Sequence, residues 1–286
     1  MRIKKIFENI IYITLALISI FLICYFGYRY MNTSTEYNQS VEIYEDSIKL
    51  YVKDITIQES SMNETKQDVN IYLPNIPEII STEDDEIIEQ VPIEIDFKAL
   101  KRINSDICGW IYIPQLEISY PVAQTDNNSY YISYTYNHQR NSAGCIFIDY
   151  RNKNDLSDYN TIIYGHSMNN TTMFHNFRNY FDDPETFKNY KYFYYLTPEH
   201  NYRMDILACV ITRPTSESYN IIYNLKDLHD YLERVKLLNE VDNDFDVKSV
   251  DRIVTFSTCA NYVFGGAREI IICKPVEILN QKIVDE

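Results

Sequence analysis

The chain has 286 residues, 45% hydrophobic and 23% charged, and its 41 acidic against 26 basic side chains leave a formal net charge of −15. That length accommodates one good-sized domain with appendages or two small domains, and an acidic chain with no basic, aromatic-interleaved stripe is not a nucleic-acid binder. The charge is local: Asn32 to Asp96 holds sixteen Asp and Glu against three Lys, so the part from Phe97 onward carries only about −5.

The first element is apolar. Asn9 to Tyr28 contains no charged residue, and twenty residues at ~1.5 Å rise span ~30 Å, the hydrocarbon thickness of a bilayer. Arg2, Lys4 and Lys5 precede the run and only Arg29 follows it before the acidic stretch. The positive-inside bias therefore places the N-terminus in the cytoplasm and everything after Arg29 outside the cell. A cleaved signal peptide and a buried helix are the competing readings, although the bulky Tyr28-Arg29-Tyr30-Met31 supplies no small-residue cleavage site. Residues 1–31 are thus expected to form a cytoplasmic tip and transmembrane signal-anchor, single-pass in the cell membrane. Residues 32–95, acidic and broken by Pro74, Pro77 and Pro92, read as an extended extracellular linker, with a small helical subdomain around Glu42 to Ile57 as the alternative.

The folded unit is expected over residues 96–286. Asp96 to Ile107 reads as a short helix. Short β-like runs follow at Trp110 to Ile113, Ile118 to Ala123, Cys145 to Asp149, Thr161 to Tyr164, Tyr192 to Leu196, Tyr202 to Ile211, Arg252 to Ser257 and Glu269 to Cys273. Such a succession predicts a mainly β fold, an eight-stranded closed or nearly closed barrel, rather than a doubly wound sheet. One helix interrupts it: Ile222, Leu225, Leu228, Leu232, Val235 and Leu238 recur at three- and four-residue steps before the strand that begins near Arg252.

Six cysteines, at 24, 108, 145, 209, 259 and 273, form no C-x-x-C pair, so no zinc site is expected. Cys24 lies in the apolar run. Cys108, Cys145, Cys209 and Cys273 lie within or beside apolar stretches, where a free cysteine behaves as a small hydrophobe. Five exported cysteines are an odd number; disulfides among the rest stay open. Cys259 ends the run from Arg252 to Thr258, Arg268 opens the run from Glu269 to Cys273, and Gly265-Gly266 marks a turn between them. Folded as an antiparallel hairpin, the two residues would face each other with Cβ atoms ~4.5–5.5 Å apart. A cation at that range favours thiolate over thiol and can meet an oxyanion. Taken singly, Cys259 reads equally well as an inert barrel cysteine and Arg268 as a solvated strand end. His166 follows Thr161-Ile162-Ile163-Tyr164-Gly165, where glycine allows a sharp exit from the strand; His138, His175, His200 and His229 compete with it. A thiol, an imidazole and a fixed cation are what acyl transfer through a thioester requires.

These residues resemble the sortases, membrane-anchored cysteine transpeptidases of Gram-positive cell surfaces. Thr255-Phe256-Ser257-Thr258-Cys259 is similar to the family's T-L-x-T-C motif with Phe in the Leu position, and Tyr164-Gly165-His166-Ser167-Met168 and Arg268 match its His and Arg. The resemblance runs from about Ile103 to Pro275 and is closest to class B, whose members share Asp106-Ile107-Cys108-Gly109-Trp110-Ile111, Tyr120-Pro121-Val122, the stretch Gly144 to Asn152, Thr171-Thr172-Met173-Phe174 and a helix before the cysteine strand. It implies that Cys259 attacks the carbonyl after the Thr of an exported protein's C-terminal sorting signal and forms a thioester. His166 would move the proton, and Arg268 would stabilise the oxyanion or hold the peptide. An amine of peptidoglycan or its lipid-linked precursor would then take the surface protein. Ser257, Asn128, Ile132, Thr215 and Tyr219 are implied as substrate-binding residues, and no cofactor or metal is implied. The phenylalanine at 256 departs from the motif and implies either a packing change or an altered sorting motif.

Two other functions are weighed against this one. Another extracytoplasmic Cys/His peptidase or an L,D-transpeptidase would share the thioester, although the L,D-transpeptidase cysteine is followed directly by arginine and Ala260-Asn261 follow here. A non-enzymatic surface adhesin would need no reactive thiol.

Overall fold

The computed structural model describes residues 2–55, 91–260, 263 and 265–278, with side chains from Tyr12 onward. The chain divides into two units between Ile43 and Tyr44. The first is formed by helix α1 (Arg2–Tyr51), which ends in the second. From Tyr12 to Met31 its large apolar side chains are exposed around the helix; Phe21 and Ile23 are 68% and 71% accessible. A helix that is apolar on every side and buries none of it is long and apolar enough to cross a membrane.

The second unit opens on the last turns of α1. Tyr44 is buried, donates its hydroxyl proton to the Gly144 carbonyl, and sets its ring edge-on to Tyr120 at 5.1 Å and against Tyr136 at 5.9 Å. The chain then enters strand β1 (Val52–Asp54), which pairs antiparallel with β2 (Ile93–Ile95), Val52 opposite Ile95. Helix and strand therefore occupy the beginning of the segment expected as a linker over 32–95, and the unit expected to start at 96 reaches back to Tyr44. Sequence periodicity misses this because α1 beyond Met31 is held by a few buried contacts (Tyr44 and Ser47) rather than by a continuous apolar stripe. The rest of the expected linker, 56–90, lies outside the described residues.

Helix α2 (Phe97–Ile103) begins where Asp96 accepts a hydrogen bond from the Ala99 N–H at 2.8 Å, and buries Leu100. Eight strands follow with short helices between them. They are β3 (Ile107–Ile113), β4 (Ile118–Ala123), β5 (Ile146–Ile148) and β6 (Asn160–Tyr164), then, after α3 (Asn179–Asp182) and α4 (Pro184–Asn189), β7 (Tyr192–Leu196) and β8 (Asn201–Thr212), and, after α5 (Leu225–Leu238), β9 (Ile253–Cys259) and β10 (Arg268–Ile278). They close into a barrel in the order β10-β8-β7-β3-β4-β5-β6-β9. The expected mainly β, eight-stranded barrel with a helix before the cysteine strand is the fold observed. Two neighbour pairs, β4–β5 and β6–β9, are parallel and the rest antiparallel.

Trp110, Ile111, Phe193, Tyr195 and Phe256 are among the fully buried side chains. Every residue of β3 is buried, so the strand is covered on both faces and reads as a continuous apolar run instead of alternating. Helix α5 is capped by Asn224, which accepts from the Asp227 N–H at 2.9 Å. It packs Leu228, Tyr231, Leu232 and Val235 against Leu207, Val210, Ile270 and Ile272 of β8 and β10. The ends of its expected stripe differ: Leu225 and Leu238 are exposed and Ile222 precedes the helix.

Candidate active site

Strand β9 lies between β10 and β6, and each neighbour brings one group to Cys259. On the antiparallel side Arg268 is the direct partner of Cys259. On the parallel side Tyr164 is level with Ser257, and the ladder continues one step further as the Gly165 N–H donates to the Ser257 carbonyl at 3.1 Å. His166 follows the Tyr164–Ser257 pair by two residues on one side, as Cys259 does on the other. Cys259, His166 and Arg268 are all half-buried at these neighbouring strand ends.

The imidazole is oriented by main chain. His166 Nε2 lies 2.9 Å from the Ile132 carbonyl oxygen. A carbonyl only accepts, so Nε2 carries the proton and Nδ1 of the neutral ring keeps its lone pair. The loop beyond is pinned back, with the Phe174 N–H on the His166 carbonyl at 2.9 Å and a bridge between Ser167 and Met173. Gly165 is required here for closeness rather than for a sharp exit: a Cβ would stand 2.5 Å from the Phe174 ring and 2.6 Å from Ile146. The other histidines are engaged elsewhere, His200 with Glu277 at 2.7 Å and His229 with the Val250 carbonyl at 2.9 Å. His138 lies 3.0 Å from the Tyr130 hydroxyl, and His175 Nδ1 3.3 Å from Ser167 Oγ.

Arg268 folds over its own turn, donating from Nη1 to the Ala267 carbonyl at 3.0 Å. Gly266 takes the positive φ of +80° that this turn needs. Asn261, Tyr262 and Phe264 of the expected turn lie outside the described residues. Burial raises the thiol pKa of Cys108 to about 12 and pushes those of Cys145, Cys209 and Cys273 up as well. Those four stay protonated and inert.

The five residues expected to bind substrate divide as follows. Ser257 shares the face of β9 that carries Cys259 and is nearly inaccessible, its Oγ 2.7 Å from the Tyr219 hydroxyl. Tyr219 stacks on Tyr164 with centroids 6.1 Å apart and planes 6° from parallel. Its hydroxyl pKa is raised by burial, against the pull of Ser257 and of the Arg268 charge. Asn128 donates from Nδ2 to Asp149 at 2.9 Å. Ile132 gives its carbonyl to His166 and leaves its side chain 43% exposed. Thr215 stands exposed in the turn after β8, four residues before Tyr219. Sequence reading passed over Asp149, Arg151 and Tyr164 as site residues. The available signal was an acid ending an apolar strand with an arginine two positions on.

A family model described as the sortase domain matches residues 111–276. The chain belongs to the sortase family. Sortase B of Listeria monocytogenes is 37% identical over 167 residues, 57% of this chain and 67% of that protein. Sortase B of Staphylococcus aureus is 28% identical over 192 residues, 66% of this chain and 78% of that protein. Among solved structures, the Staphylococcus aureus sortase B–substrate complex superposes with a TM-score of 0.58 at 27% identity, covering 64% of this chain and 85% of that one. Sortase B from Bacillus anthracis in complex with AAEK1 gives 0.62 at 25% identity, covering 85% and 99%. The relatives are class B members, and this sortase is of the same cysteine transpeptidase type.

Proposed function

We propose that this sortase is anchored in the cell membrane by α1, with its barrel outside, and joins exported proteins to a cell-wall amine. Cys259 passes its thiol proton to Nδ1 of His166 as Sγ attacks the carbonyl carbon after the Thr of a C-terminal sorting signal, and the oxyanion that forms meets the Arg268 guanidinium. The C–N bond breaks as His166 gives its Nδ1 proton to the departing amine, leaving the surface protein as a thioester on Cys259. An incoming amine attacks that carbonyl, returns a proton to Nδ1, and displaces the sulfur. The Ile132 carbonyl keeps the ring in the tautomer this exchange uses. Ser257, Asn128, Ile132, Thr215 and Tyr219 line the peptide's path.

The observation that carries the reading is the double register of β9, antiparallel to the strand that opens with Arg268 and parallel to β6, which ends two residues before His166. Further support comes from solved relatives: Staphylococcus aureus sortase B with its substrate, and a sortase B with triglycine, a small amine. The deciding experiment incubates the full chain with a pool of Thr-containing peptides and weighs the protein. A mass increase on Cys259 equal to the peptide up to Thr, removed by added triglycine, is expected; a Cys259→Ala variant that still cleaves would overturn the assignment. For the anchor, membrane-impermeant MTSET should label Cys259 on intact cells; labelling only after lysis would reverse the orientation.

A further inference from the structure

Five hydrogen bonds converge on one buried carboxylate near the rim. Asp149 has no accessible side-chain surface. Its Oδ1 accepts from the Arg151 main-chain N–H at 3.0 Å and from Arg151 Nε at 2.8 Å. Its Oδ2 accepts from Arg151 Nη2 at 2.7 Å, Asn128 Nδ2 at 2.9 Å and the Tyr164 hydroxyl at 2.9 Å. Burial alone would neutralise such a group; the donors from Arg151, Tyr164 and Asn128 outweigh it and hold the pKa below the usual carboxylate range.

What those donors do next gives the carboxylate its meaning. Asn128 is clamped at its other end, its Oδ1 taking the Tyr150 N–H at 3.0 Å. Tyr164 lays its ring flat against Tyr219. Arg151 Nη2 also reaches the Tyr219 carbonyl at 3.2 Å. Tyr219 is therefore fixed twice from Asp149, once through its ring and once through its main chain, and it ends on Ser257, two residues from Cys259. Two of the five residues proposed to line the peptide's path, Asn128 and Tyr219, hang on this one side chain, and Ser257 is reached through Tyr219.

We propose that Asp149 is a positioning residue for the sorting peptide: its carboxylate sets Asn128 directly and Tyr219 through Tyr164 and Arg151, so that the peptide meets a preformed wall beside Cys259. This rests on the transpeptidase reading above. An amide at this position cannot accept from all five donors, so Asp149→Asn leaves at least one of them pointing at an NH2 group. Losing a hydrogen bond to a charged partner costs ~1.5–3 kcal/mol, which corresponds to roughly 10–100-fold in binding.

The test takes the peptide that the unaltered full-length enzyme cleaves fastest from the Thr-containing pool. It compares kcat, KM and the rate of MTSET labelling of Cys259 in Asp149→Asn, Tyr164→Phe and the double variant. Expected are a KM raised about tenfold or more in Asp149→Asn, a kcat that falls by less than KM rises, and labelling within twofold of the parent. Tyr164→Phe removes only the hydroxyl and keeps the stacked ring, so its KM rise should be smaller. The double variant should resemble Asp149→Asn alone, because both changes break one chain of contacts. Additive effects, an unchanged KM, or labelling that falls in step with cleavage would each overturn the proposal. If Asp149→Asn does not fold, Tyr164→Phe decides alone, and an unchanged KM there overturns it. A parent enzyme that is labelled by MTSET yet cleaves no peptide would instead sink the transpeptidase reading, and this proposal with it.

Discussion

In the proposed mechanism the Arg268 guanidinium, on the strand next to Cys259, meets the oxyanion as it forms. Lysine keeps the charge but loses the planar fork and its fixed reach over the Gly266–Ala267 turn. Arg268→Lys should therefore lower kcat by about 10²–10³, the loss seen when a single oxyanion donor is removed. A change confined to KM in steady-state assays would place Arg268 on the peptide instead. Its chain neighbour makes a prediction about stability. Glu269 is buried beside Asp182, and burial first, then that like charge, raises its carboxyl pKa to about 8. The unfolded chain ionises at the ordinary glutamate pKa, about 4.3, well before the folded one. Stability owed to the neutral group is thus complete below that value and drains away as pH rises toward 8. Glu269→Gln should leave Tm unchanged at pH 4 and raise it at pH 8; a gain equal at both would refute the assignment. Cys259 and Arg268 were legible because a hairpin is a local event. Asp149 was not, because a carboxylate at a strand end reads as a solvated charge until its five donors are seen.

At the level of elements, the proposed catalytic geometry depends on a parallel pairing, β6 with β9, whose partners are separated by two helices, two strands and a third helix in sequence. Apolar runs gave away all eight strands, yet no run encodes its non-sequential neighbour, so His166 was found by its motif and not by its position. Glycine 165 shows how tightly that strand end is seated. Gly165→Ala should cost ~1–3 kcal/mol by overpacking against Phe174 and Ile146, and should lower kcat as His166 shifts, both read by denaturant unfolding and peptide turnover. Unchanged stability would mean that the Phe174 loop yields freely. Phe256, the motif's departure from Leu, is explained by packing: it meets Phe193, Phe174 and Phe177 edge-on with centroids 5.1, 6.2 and 6.3 Å away. Its ring is buried among theirs and points away from the face that carries Ser257 and Cys259.

For the whole molecule, the expected start at residue 96 and the observed start at Tyr44 make different predictions. Cutting before Asn32 should preserve the barrel unit intact. Cutting before Asp96 removes Tyr44 from its pocket against Tyr120 and Tyr136, with its hydrogen bond to Gly144, and strips β2 from α2. The loss of one buried aromatic is worth ~3 kcal/mol or more, so the shorter form should melt about 6–12 °C lower. Equal melting temperatures would show that the segment is ornamental. Composition hid this boundary, because charge density in residues 37–51 resembles that of a disordered stretch while the deciding contacts are two or three buried residues.

The pairing of β1 with β2 has one more consequence. The chain leaves at Ile55 and comes back at Pro92, where the Ile55 N–H donates to the Pro92 carbonyl at 3.0 Å, so the ends of the 36 residues between them are held together by β1 and β2. Their number is therefore decoupled from the spacing of the two strands: exchanging residues 56–90 for a two-residue turn should leave peptide turnover as it was.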